Sequence, residues 1–526
     1  MTTATQLPNS ASAFDLAAPP AGRQHAGHTK RLTPGVNITI ACVVVLVTTI
    51  YFAVVSPDCR HWFLLPTAVV GVILAPDLIA WVRGQVDTFD PLPFVAGTGF
   101  IGYYLAPILH RYWGLYDPNL NAIVDFWPRR FGQFTALLIP AVVLYKLGHR
   151  ATFNRRRPPK AFWEIDNRRF VGNLTAALLI SAAAALYIQV HFQGFHTEAS
   201  LSAEVASQIG TVAWLMALEQ PLGFLLVLGV VQLIVISTRA RPLLVALVLL
   251  VSLSVLQFLL VGYRGSRTAT LSAVLLTAGI IHYRLRPFAV RHAVVGLIAM
   301  CVFMYFYGFF KKLGSAGFEA LESSEARAAL EEQTGFSFEA MVLGDLARAD
   351  VQAFALYRIV HDRDYRYRWG ASYLYNVLEF IPRAVWRSKP MAVLPEAQTD
   401  IEYGEGSYEP QVFQSVKVYG LPGEAMLNFG LWGVPLMFFL YGLAFGWYRG
   451  RVFEWDPRDA RFILVPLMTY IAMSFWVGNS DNAIFALLVN GALPFLVILN
   501  SVRRVPLAAH MPELQDWPPP APSHRP

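Results

Sequence analysis

Twelve stretches of this chain stay apolar for long enough, or nearly so, to cross a lipid bilayer, and nothing else in it limits the fold as much. Crossing ~30 Å of hydrocarbon takes about 20 residues of helix at ~1.5 Å per residue. The stretches are Val36–Val55, Trp62–Val82, Pro93–Ile108, Phe131–Leu147, Phe170–Phe192, Trp214–Ile236, Pro242–Gly262, Thr268–Tyr283, Ala293–Phe310, Glu424–Tyr448, Phe462–Val477 and Ala483–Ser501. The third is the weakest, because Pro93, Gly97, Gly99, Gly102 and Pro107 fall inside it, and a re-entrant segment is its alternative. Composition agrees with the pattern: 15% of residues are charged, against about 25% in an average soluble domain. The expected fold class is an all-α polytopic membrane protein of about 12 transmembrane helices, with one large external loop carrying short helices.

The loops between these stretches set the expected orientation. With a cytoplasmic N-terminus, the inner loops hold Arg150, Arg155, Arg156, Arg157, Lys160, Arg168 and Arg169, then Arg239 and Arg241, then Arg284, Arg286 and Arg291, then Arg449 to Arg461, and finally Arg503 and Arg504. The outer loops near Asp58, at Gln193–Ile209 and at Gly478–Asn482 are nearly free of Lys and Arg. That alternation follows the positive-inside rule and places both termini in the cytoplasm. It also accounts for the net charge of +7 without nucleic acid as a partner. Three outer loops break the rule: one with Arg111, Arg129 and Arg130, a further reason to doubt the third stretch; a turn with Arg264 and Arg267; and the long loop Lys311–Pro422. The charge of that long loop matters little, because long loops translocate largely regardless of it. The second is a very short turn, and an anionic ligand is one way to compensate its two cations.

The chain therefore divides into a disordered tail (1–35), nine spans (36–310), a large external loop (311–422), three more spans (423–502) and a Pro-rich cytoplasmic tail (503–526). The first apolar run follows Arg23, Lys30 and Arg31 and is too long for a signal-peptide core, so it reads as an uncleaved anchor. Three cysteines are too few for a disulfide framework. No internal repeat is evident, which weighs against a transporter, where repeats and paired broken helices are expected.

The loop 311–422 is split by charge, acidic from Glu319 to Asp350 and basic from Arg358 to Lys389. Phe318–Leu330 and Phe336–Val360 read as surface helices, while Pro382, Pro390, Pro395, Pro410 and Pro422 leave Arg383–Pro422 an ordered irregular segment. Arginine suits phosphate because its planar fork donates two parallel charge-assisted hydrogen bonds and stays charged at any working pH. Arg264, Arg267 and Arg383, supported by Arg387 and Lys389, are the candidate diphosphate ligands. For each of them the plainer reading is a headgroup contact or a salt bridge to the acidic half of the loop. Glu424 and His361 are the candidate general bases. A carboxylate is also favourable at a helix N-terminus, and His361 beside Asp362 also reads as a surface pair. Asp400, Glu402, Glu405 and Glu409 read as a solvated run, and Asp77 and Glu219 as helix-packing partners or intramembrane functional groups. The histidines lack the spacing of a zinc site. Asp362-Arg363-Asp364 lies among arginines, so salt bridging is its first reading and metal binding its second. No metal and no cofactor are expected, and no Gly-rich phosphate loop is present to bind ATP.

In combination, the motifs of this half resemble a family. Arg264-Gly265-Ser266-Arg267 heads a span. Trp369-Gly370-Ala371-Ser372-Tyr373-Leu374 follows, then Ile381-Pro382-Arg383 with Trp386 and Lys389-Pro390, then Gly423-Glu424 with Asn428-Phe429-Gly430. The series resembles the Wzy-type repeat-unit polymerases of O-antigen and exopolysaccharide synthesis. The resemblance implies a GT-C-like glycosyltransferase in a bacterial inner membrane. It would join undecaprenyl-diphosphate-linked oligosaccharides on the periplasmic face, beside membrane lipid, with a chain-length regulator and a flippase as candidate protein partners. An O-antigen ligase and a lipid-oligosaccharide transporter are the alternatives.

Overall fold

The computed structural model describes residues 33–155, 160–191, 214–215, 217–236, 248, 251–252, 267–346, 348–362, 365–378, 381, 386, 393–409, 417–456 and 459–506. Among these residues, nine helices are long and apolar enough to cross a membrane: Pro34–Val55, Leu64–Val82, Pro91–Trp113, Trp127–Phe153, Asn167–Ile188, Ala217–Val235, Val290–Leu321, Ala460–Val477 and Ser480–Ser501. The protein is an all-α polytopic membrane protein. Nearly all of the stretch Pro242–Gly262 lies outside the described residues. The helix Arg267–Arg284 is formed and has 18 residues, but it is less apolar than the nine.

One doubtful expectation holds and two change. The doubtful third stretch is a helix from Pro91 to Trp113, with one wide turn at Ile101–Leu105 rather than a re-entrant break. Asp90 starts it by accepting from the Leu92 N–H, and Pro91 occupies a first-turn site whose missing N–H costs nothing. The tenth stretch is not one helix but two, Gly420–Phe429 and Gly433–Glu454. The break lies at Gly430, whose φ of +68° only glycine adopts without strain. In the external loop, the helix expected at Phe336–Val360 is divided, ending in Ala349–His361, and Val393–Tyr403 is helical where an irregular segment was expected. Pro395 sits in the first turn of that helix, where proline is tolerated.

Close packing holds the Gly433–Glu454 helix against Trp127–Phe153. A Cβ added at Gly442 would collide with the carbonyl of Tyr145, and one at Gly446 with that of His149. From the other side, a Cβ at Gly148 would come within 2.6 Å of the Phe439 carbonyl oxygen. Small residues spaced four apart let helix backbones approach this closely, which is how helices associate where lipid removes the hydrophobic drive. Beside the crossing, Trp476 is fully buried among Tyr103, Tyr145, Phe438 and Tyr441, with ring centroids 4.7–5.6 Å away.

The described contacts sort the loops into two sets. In one, Arg449 grips buried Asp90 through two hydrogen bonds of 2.7 and 2.6 Å, Thr88 donates to the Phe288 carbonyl, and the Trp163 N–H reaches Asp459 at 3.2 Å. In that set the strands Ala161–Ile165 and Val502–Pro506 also pair antiparallel, an element the all-helical expectation did not include. In the other set, Arg111 meets Asp58 at 2.7 Å, the Asp117 N–H meets Asp350, Asn376 meets Ser480, and the Tyr419 N–H meets Asn479. These are the loops that alternation of the spans assigns to the two sides.

Candidate functional site

The helix Gly420–Phe429 has no solvent face over most of its length: every residue from Gly420 to Asn428 is buried. Its start is fixed by Asn479, whose Oδ1 accepts from the N–H groups of Tyr419 (2.9 Å) and Gly420 (3.2 Å). These are first-turn donors that would otherwise be orphaned. One turn in, Glu424 is 1% exposed. Its Oε1 accepts from the hydroxyls of Ser372 and Ser480, each at 2.6 Å, and its Oε2 accepts from the Ser480 N–H at 2.8 Å. Asn428 follows one turn later on the same face. Its Nδ2 donates to Ser372 Oγ (2.8 Å) and its Oδ1 accepts from the Gly370 N–H (2.9 Å). Asn376 donates to Ser480 Oγ at 2.6 Å, so each serine hydroxyl receives one hydrogen bond and passes one to the carboxylate.

Three segments far apart in the chain thus close around one carboxylate. The peptide leading into the helix Ala371–Leu378 is laid along the end of Gly420–Phe429 by main-chain bonds, Arg368 N–H to the Leu427 carbonyl and Trp369 N–H to that of Asn428. Glu424 lies outside the nine candidate spans. Its burial raises its pKa, and the three hydrogen bonds from Ser372 and Ser480 pull the other way without cancelling the shift. All three donate to the carboxylate, an arrangement suited to the anion. Tyr373 is half-buried next to this group, its phenol pushed up by burial and by the Glu424 charge. The Tyr373 hydroxyl has no hydrogen-bond partner among the described residues, nor do Gln398 Oε1 and Nε2. Buried polar atoms are nearly always satisfied, so these mark places where a polar partner fits.

Around this centre runs a belt of charge. Glu402 accepts from Lys417 (2.6 Å) and from the Tyr419 hydroxyl (2.9 Å), and Lys417 and Arg348 each come within 3.7 Å of Asp117. Arg368 pairs with Asp400 and with Glu396, the latter at 3.3 Å. Asp400 and Glu402 are therefore buried ion-pair partners rather than members of a solvated run, whereas Glu405 is exposed and meets exposed Arg366. Burial pushes the Tyr419 phenol up, and the Glu402 carboxylate adds to that. Asp77 pairs with Lys146 across two spans, the helix-packing alternative to the functional role first considered for it.

Of the expected site residues, Glu424 is at the centre of this network. His361 is not in it: exposed on the last turn of Ala349–His361, it bonds through Nδ1 to the Tyr357 carbonyl at 2.8 Å and lies tilted against the Tyr357 ring. Asp362 meets Arg358 at 3.5 Å. Arg267 opens the helix Arg267–Arg284. Arg264, Arg383, Arg387 and Lys389 lie outside the described residues. Among the described residues no three His, Cys, Asp or Glu side chains converge as a metal ion would require. Ser372, Asn376, Asn479 and Ser480 were not singled out by sequence reasoning, although Ser372 lies inside a quoted motif. Comparison of the chain with protein-family models, with curated proteins and with solved structures finds no match.

Proposed function

We propose that this protein is a repeat-unit polymerase of a bacterial inner membrane, transferring a growing oligosaccharide from one undecaprenyl diphosphate to another lipid-linked unit. The observation that supports this reading is the junction of Glu424, Asn428 and Ser372. These residues belong to two separate motifs of the resemblance and share one hydrogen-bonded centre at the level where a polar loop meets apolar helices. In the reaction, a hydroxyl of the incoming unit attacks the anomeric carbon of the donor sugar. The carbon–oxygen bond to the lipid diphosphate breaks and its electron pair leaves on the diphosphate. Glu424 takes the hydroxyl proton, its raised pKa bringing it nearer working pH; His361 is the second candidate. Arg264, Arg267 and Arg383, with Arg387 and Lys389, stabilise the charge on the leaving diphosphate. The segment carrying three of these cations continues directly from the helix whose Ser372 holds Glu424.

The test is substitution with a product readout. Arg264→Ala and Arg383→Ala are expected to insert into the membrane at normal level and to yield no polymer. A full polymer ladder from either variant removes that cation from the diphosphate site.

A further inference from the structure

Trp369 is 76% exposed, yet it is held in a conformation non-glycine residues rarely adopt, with φ of +49°. The peptide around it is pinned to Leu427 and Asn428, so the ring is presented by a rigid support. Tyr367 lies edge-on to it at 6.2 Å and is itself partly exposed. On the adjoining helix Ala371–Leu378, Leu374 and Val377 fall three residues apart on one face and are each 59% exposed. Trp432 heads the neighbouring helix Gly433–Glu454 at 86% exposed. Below it, exposed Leu436, Leu440 and Trp447 recur at helical spacing, while Gly442 and Gly446 pack inward on Trp127–Phe153. The exposed apolar side of the helix Gly433–Glu454 therefore runs up to Trp432, and the two residues before Leu431 join it to the segment, Gly430 lying beside the Tyr367 ring and Phe429 beside Gly370.

We infer that the segment 367–378 is a monotopic element seated in the headgroup–acyl boundary of the bilayer. It would carry the Glu424 centre down to the depth of the lipid headgroups. Two features select lipid over other partners. Leu374 and Val377 are aliphatic, which suits acyl chains, and tryptophan and tyrosine place an apolar ring and a polar edge where the boundary needs both. The surface also adjoins the exposed apolar side of Gly433–Glu454, with Leu436, Leu440 and Trp447, rather than standing apart from it. The depth of this segment is independent of the reaction the protein catalyses.

Spin labelling reads that depth directly. The full chain, with Cys42, Cys59 and Cys301 replaced by Ala, carries a single nitroxide at Leu374→Cys or Val377→Cys in phosphatidylethanolamine–phosphatidylglycerol nanodiscs. Collision rates with oxygen and with a water-soluble nickel chelate are compared with those at Leu436→Cys and Glu332→Cys. Oxygen access several-fold above nickel access, as at Leu436→Cys, is expected. Nickel access equal to that at Glu332→Cys overturns the inference. So does nickel access that falls only when a soluble oligosaccharide is added, which marks a carbohydrate shelf instead. Because cysteine replacement can unfold the protein, a second reading keeps all three. Lipids brominated near the headgroup should quench less of the emission of the Trp369→Phe, Trp432→Phe protein than of wild type, and an equal quenched fraction overturns the inference.

Discussion

Glu424 is held by three donors and touches no solvent. Removing its side chain strands two serine hydroxyls and an N–H, and each buried unsatisfied group costs about 1–3 kcal/mol. Glu424→Ala is therefore expected to lose stability as well as product. Glu424→Gln is the sharper variant: its Oε1 still accepts from both serines, but its amide NH2 faces the Ser480 N–H. The pH dependence follows from the direction of the shift. A folded-state pKa raised by burial means the folded protein binds this proton more tightly than the unfolded chain. The resulting stability is fully present below the ordinary glutamate pKa and is lost as pH rises through the folded value. Thermal unfolding in nanodiscs should thus show wild type losing stability over that window and Glu424→Gln losing less. Parallel curves for the two proteins contradict the assignment. At this scale the sequence disclosed Glu424 and Asn428, whose spacing puts them on one helix face. Their partners were hidden because Ser372 and Ser480 are ordinary loop-edge residues until the chain folds them together. Asp400 and Glu402 were misread for the same reason, since their cations Arg368 and Lys417 are distant in sequence.

Among the elements, apolar length marked the helices well and their breaks poorly. Phe429-Gly430-Leu431-Trp432 is apolar throughout, so hydropathy runs straight across a break that depends on one positive φ. The Gly-rich third stretch, the weakest of the expected spans, is a helix after all, and Gly99 in it packs against the Trp476 ring. Close approach also governs the crossing of Trp127–Phe153 and Gly433–Glu454. Gly446→Ala must push the two backbones apart, and overpacking of this kind costs about 1–3 kcal/mol. Gly296→Ala is the control, because a Cβ there meets nothing within 4 Å. Melting of the two variants should separate them, with Gly446→Ala falling several degrees below wild type and Gly296→Ala matching it. Equal melting temperatures contradict the crossing.

For the molecule as a whole, the described loop contacts fall into two sets, matching the grouping that twelve alternating spans would give. The contacts Asp90–Arg449, Trp163–Asp459 and Glu164–Arg503 join loops of one set, and Arg111–Asp58 and Asn376–Ser480 join loops of the other. The positive-inside rule leads to the expectation that the first set faces the cytoplasm, which labelling can test. In intact spheroplasts of a cysteine-free background, Glu332→Cys is expected to react with an impermeant maleimide, and Arg503→Cys only after permeabilisation. Reaction of both from the same side contradicts the topology. What the polar centre does is a matter of chemistry, and one reconstitution addresses it. Purified protein in lipid vesicles is supplied only with undecaprenyl-diphosphate-linked single repeat units, and the products are separated by size. A polymerase yields a ladder of lengthening chains, and that ladder is the predicted result. Unchanged single units, including units moved between leaflets without a new glycosidic bond, contradict it.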